Sequence, residues 1–118
     1  MDAKELFEKL APLQAAKGFH FNPDTAMVLD LMAGLLTNKE RYGYMACPCR
    51  LASGKFELDR DVVCPCEYRA PDVAEYGACF CGLYVSEAVR DGQEPLPVVP
   101  ERRPAEKTPE RRATHAQP

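Results

Sequence analysis

The sequence contains no apolar run approaching the roughly 20 residues that a membrane-spanning helix requires, so no transmembrane segment is expected. The opening stretch Met1-Asp2-Ala3-Lys4-Glu5-Leu6-Phe7 has neither the basic flank nor the apolar block of a secretory signal, which predicts a cytoplasmic protein in a reducing environment. Surplus positive charge is missing too: 15 Lys and Arg against 18 Asp and Glu leave a formal net charge of -3, and this argues against a nucleic-acid binder. Histidine is scarce, with only His20 and His115 present. No alternating apolar pattern of period 2 recurs, so the expected fold class is mainly α. At 118 residues the chain supports a small single domain, and domains of that size often lean on a metal or on disulfides.

What the sequence does have is cysteine, and in pairs. All six cysteines lie between residues 47 and 81, as Cys47-Pro48-Cys49, Cys64-Pro65-Cys66 and Cys79-Phe80-Cys81. Packing alone would scatter small apolar cysteines singly through a core, whereas three Cys-X-Cys dyads in so short a stretch gather thiolates for chemistry. In a reducing compartment that chemistry is metal or redox work.

The flanking segments read as helices. Asp2 followed by Glu5 is a capping-box signature, and Leu6, Leu10 and Leu13, with Phe7 alongside, recur at helical spacing, which predicts a first helix over about residues 3–17. Pro12 predicts a kink or a stop near Ala11, and Gly18 ends the element. Asn22-Pro23 supplies a capping side chain and a proline suited to the first helical position. It opens a second helix over about residues 23–40, whose face of Met27, Val28, Leu31, Met32, Leu35 and Leu36 is the most buried expected, the methionines being core. Ser53-Gly54 marks a turn, Glu57–Asp61 a short polar helix or loop, and Arg69–Tyr76 a segment broken at Pro71 with one helical turn before Gly77. Gly82-Leu83-Tyr84-Val85 has strand character, and Ser86 caps a short helix ending at Gly92.

These elements assign residues 1–95 to the domain. Residues 96–118 are rich in Pro, Arg and Glu, repeat Pro-Glu-Arg-Arg at 100–103 and 109–112, and have almost no apolar residues after Val99. Such a segment does not offset its own ordering entropy, so a disordered C-terminal tail is expected, with His115 inert in it.

Proline after the first cysteine biases Cys47 and Cys64 toward extended backbone and fixes the next φ, so the chain turns at the second cysteine and both thiols are aimed. A disulfide within one dyad would be strained, so any disulfide joins different dyads. Three inventories fit six thiols: a four-thiolate 4Fe-4S cluster with two cysteines left over, two zinc ions sharing bridging thiolates, and three structural disulfides. The Cys-X2-Cys spacing usual for zinc is absent, and the compartment weighs against disulfides. Spacing alone leaves all three open.

The ordered dyads Cys47-Pro48-Cys49-Arg50, Cys64-Pro65-Cys66 and Cys79-Phe80-Cys81, with the Asn22-Pro23 helix and the Tyr42-Gly43 approach, resemble the catalytic (beta) subunit of ferredoxin-thioredoxin reductase over roughly residues 5–90. The resemblance implies a small domain of short helices around a 4Fe-4S cluster ligated by Cys47, Cys64, Cys66 and Cys79. It implies that Cys49 and Cys81 form the redox-active disulfide, with Cys49 the exposed nucleophile and Cys81 the thiol held beside the cluster. It also implies a ferredoxin or similar one-electron donor, a thioredoxin-like acceptor, and in photosynthetic members a small variable subunit. Arg50, next to Cys49, is a candidate for lowering its pKa.

The chain departs from the family pattern at Phe80, where the family carries a histidine that looks like a proton donor. His20 is the only other histidine before the tail and the only substitute of that kind. The interval between the second and third dyads, carrying Arg69–Tyr76, is longer than in photosynthetic members. Two rival readings stand beside the reductase: a zinc-binding interaction module with an Arg-rich docking tail, and a simple iron-sulfur electron carrier.

Overall fold

The computed structural model describes residues 1–108; the expectations for residues 109–118, His115 included, lie outside the described residues. The chain runs α1 (Ala3–Ala15), β1 (His20–Phe21), α2 (Thr25–Tyr42), α3 (Phe56–Asp59), a 3-10 turn (Arg60–Val62), α4 (Arg69–Tyr76), β2 (Tyr84–Val85), α5 (Glu87–Arg90) and a last 3-10 turn (Ala105–Lys107). The fold is mainly α.

Asp2 starts α1, its carboxylate accepting the Glu5 N–H at 2.9 Å. The helix runs through Pro12 instead of stopping at Ala11. Pro12 is exposed, so the carbonyl deprived of its amide partner can turn to water. Leu6 is buried but Leu13 is 55% exposed, which corrects the expected stripe; Gln14 takes the buried place on the last turn.

The second helix begins two residues later than expected. Asp24, not Asn22, caps α2, accepting the Met27 N–H at 3.2 Å. Val28, Met32 and Leu35 are buried and Met27, Leu31 and Leu36 half-buried. Each fully buried large apolar side chain contributes about 1.5–3 kcal/mol, and this face supplies three of them, Val28, Met32 and Leu35. It packs with Leu6, Leu83, Tyr84 and Cys79.

Helix α4 spans the whole of Arg69–Tyr76, correcting the expected break. Pro71 falls in its first turn, where the amide it lacks would have no intrahelical partner. Strands β1 and β2 pair antiparallel, His20 opposite Val85 and Phe21 opposite Tyr84. The pairing stacks Phe21 between Phe7 at 5.1 Å and Tyr84 at 5.3 Å, centroid to centroid. Ser86 caps α5 as expected.

Residues 96–108 lie against the domain. Val99 and Arg103 are buried, Val99 with Ala78, Val85 and Val89. Arg103 pairs with Asp61 at 2.8 Å, Arg102 with Asp72 and Glu75, and Glu101 with Arg50. What this segment lacks in apolar surface it replaces with charge-assisted hydrogen bonds to distant carboxylates and to one arginine, which local composition does not display.

Candidate metal and thiol centre

Short backbone ladders bring the three dyads together. An antiparallel bridge joins Ala46 to Val63, and on either side the Cys47 N–H donates to the Val62 carbonyl and the Cys64 N–H to the Met45 carbonyl, both at 2.8 Å. The first dyad is thus laid beside the second. The third is fastened by the Ala78–Val85 bridge and by the Cys79 N–H donating to the Tyr84 carbonyl at 2.9 Å.

Tight turns aim the thiols. The Arg50 N–H closes onto the Cys47 carbonyl at 3.2 Å and the Gly82 N–H onto the Cys79 carbonyl at 2.9 Å. Pro48 occupies the second position of the first turn, where its fixed φ is favoured, and Gly82 closes the third turn with φ at 76°. The Cys64–Pro65 peptide bond is cis. Asn22, expected as a helix cap, does something else: its amide donates to the Gly82 carbonyl at 3.0 Å and its carbonyl oxygen accepts the Asp24 N–H at 2.9 Å. It joins the start of α2 to the third dyad.

All six cysteines are free thiols. The sulfurs of Cys47, Cys49 and Cys81 lie within 4.8 Å of one another, a group able to hold a metal ion. Those of Cys79 and Cys81 are 3.7 Å apart. Cys47, Cys64, Cys66, Cys79 and Cys81 line one cavity, with Arg50, Arg69, Pro65, Phe80 and Tyr84. Cys49 is exposed and borders a separate groove with Leu51, Phe80, Glu101, Arg103 and Thr108. Cys81 therefore stands between the exposed thiol and the buried group.

Arg50 borders the groove with Cys49, but its hydrogen bonds go elsewhere. Its guanidinium makes two 2.8 Å hydrogen bonds to the Glu101 carboxylate, donates to the Cys66 sulfur at 3.6 Å, and lies 4.5 Å from the Phe80 ring centroid. Its positive charge favours the thiolates of Cys47 and Cys66. His20 pairs with Arg90 at 3.0 Å and does not line the thiol cavity.

The thiols perturb one another. Hydrogen bonds from Cys49 and Cys81 pull Cys47 down, and the bond to Cys47 is the largest cause pushing Cys49 up. Burial pushes Cys64 and Cys66 up.

Two cavity residues escaped sequence reasoning. Arg69 is buried, donates to the Gln14 side chain, lies over Phe19 at 3.8 Å and Tyr84 at 4.7 Å, and among the described residues has no carboxylate partner. Tyr84 is 2% exposed and its hydroxyl has no hydrogen-bond partner. An arginine and a tyrosine in unremarkable sequence surroundings give no such signal.

Fold and site together define a small helical domain that presents paired thiols from three adjoining turns. The chain matches the family model for the ferredoxin thioredoxin reductase catalytic beta chain over residues 2–102, and it belongs to that family. Among curated proteins none matches it. No helix among the described residues is long and apolar enough to cross a membrane.

Proposed function

We propose that the chain is a cytoplasmic disulfide reductase passing electrons singly from a ferredoxin-type donor, through a 4Fe-4S cluster, to the Cys49/Cys81 pair and on to a thioredoxin-like disulfide. The observation that carries this reading is the division of the sulfurs: five line one cavity, while Cys49 alone is exposed outside it, beside Cys81.

The residues present fit an anionic iron-sulfur group. Cys47, Cys64, Cys66 and Cys79 supply the four thiolates such a cluster takes. Arg50 and Arg69 bring positive charge to the same cavity, and the orphaned Tyr84 hydroxyl needs an acceptor. When bound, the cluster supplies electrons one at a time to a bond that needs two.

The rest is thiol chemistry. The Cys49 thiolate attacks one sulfur of the target disulfide, forming a mixed disulfide and expelling the other target sulfur, which takes a proton. Cys81 then attacks the Cys49 sulfur: the Cys49–Cys81 bond forms, the mixed disulfide breaks, and the second target thiol leaves. Two electrons and two protons restore the pair. Phe80, which lines both the cavity and the groove, stands where the family carries a histidine and has no proton to give; protons then come from another group or from water.

A second reading rests on the Cys47/Cys49/Cys81 group, which suits one zinc ion. Analysis of anaerobically purified protein separates the two. About four iron and four sulfide per chain with no zinc support the reductase, and stoichiometric zinc sinks it. Cys49→Ser then distinguishes a reductase from a simple electron carrier: iron is kept, disulfide reduction is lost, and a thioredoxin lacking its resolving cysteine is no longer trapped.

A further inference from the structure

Tyr84 is the one residue of the thiol cavity that is buried, polar and unsatisfied. A buried hydroxyl without a partner costs about 1–3 kcal/mol, and a sequence that keeps one there needs a reason. Phenylalanine at this place would keep the packing, since the ring meets Phe21 at 5.3 Å and Phe19 at 6.3 Å. The oxygen, not the ring, is what wants an explanation.

The position of the oxygen narrows the answer. Tyr84 follows the third dyad on β2, and its own N–H donates to the Cys79 sulfur at 3.3 Å. Its side chain borders the same cavity as Cys64 and Cys79. Arg69 sits over the ring face, and a guanidinium only donates, so the hydroxyl's own proton stays available. A phenol is protonated at neutral pH, with an ordinary pKa near 10. It therefore acts here as a fixed hydrogen-bond donor, with sulfur the acceptor the cavity offers.

We propose that Tyr84 is a positioning residue whose hydroxyl donates a hydrogen bond to a sulfur of the iron-sulfur group in this cavity and thereby raises its reduction potential. The inference rests on the proposed function. Hydrogen bonds to cluster sulfurs are one of the levers by which a protein sets that potential. Donation strengthens when the centre gains an electron and its sulfurs become more negative, so the reduced form gains more than the oxidised form.

The test is redox titration of the iron-loaded protein. Tyr84→Phe should still load iron and sulfide, yet titrate at lower potential. At a fixed ambient potential its ratio of reduced to oxidised centre should fall about tenfold, equivalent to about 59 mV for a one-electron couple. Replacing Tyr84 with a fluorinated tyrosine, a stronger donor of nearly the same size, should move the potential the opposite way. A purely structural tyrosine would give no such pair of opposed shifts. Loaded protein whose potential ignores both changes overturns this inference alone. Protein that binds no iron and sulfide overturns the inference and the proposed function together.

Discussion

A methyl group on Gly34 would stand 2.8 Å from the Cβ of Pro48, so the middle of α2 and the proline of the first dyad touch at a distance only glycine permits. Alanine would favour the helix by roughly 0.5–1 kcal/mol, but overpacking against a rigid ring costs about 1–3 kcal/mol. The second effect wins. Gly34→Ala should lower the melting temperature and, by pushing the first turn away from its neighbours, reduce bound iron per chain; calorimetry and metal analysis on one preparation check both.

The buried pair of Arg103 and Asp61 predicts a larger loss. Arg103 donates to both Asp61 oxygens at 2.8 and 3.0 Å and to the Leu58 carbonyl at 3.0 Å. Arg103→Ala leaves a buried carboxylate without its cation, which typically costs about 3–5 kcal/mol. Urea unfolding should show a lowered midpoint, whereas a loss under about 1 kcal/mol would mean that the segment contributes little to stability.

Acid should remove that contribution. Burial alone would raise the Asp61 pKa, but hydrogen bonds from Arg103 and Tyr68 outweigh it and hold the carboxyl below its usual range. A group depressed in the folded state adds stability that is complete above its unfolded value of about 3.9 and is lost as pH falls through the folded value. Asp61→Asn should therefore melt well below wild type at pH 6, and the gap should narrow as pH falls below about 4. A gap that does not change with pH would refute the linkage.

Asn22 predicts a local effect, on the third dyad and on the start of α2. Asn22→Ala removes the amide that holds the Gly82 carbonyl, at a cost of about 1–2 kcal/mol. Hydrogen exchange should quicken at the amides of Gly82 and Tyr84 while those of α4 keep their protection.

How much of this the sequence displayed depends on the range of each interaction. Helix α2 was legible because Val28, Met32 and Leu35 recur at helical spacing, and the dyads because the cysteines are neighbours in the chain. Asn22 was misread because its side chain suits a cap as well as it suits the carbonyl 60 residues away. Pro71 looked like a break because a proline is judged by its type, while its effect depends on its place in the turn. The gathering of the thiols depends on a bridge between Ala46 and Val63, which no local pattern announces. The joining of Arg50 to Glu101 spans 51 positions.

The contacts of Arg102 and Arg103 with Asp72 and Asp61 also decide where the protein can be cut. Expression of a fragment ending at α5 would leave those two carboxylates, 0% and 6% exposed, without their arginine partners. A piece that keeps both pairs extends to residue 103, with its margin drawn by charge and not by hydropathy.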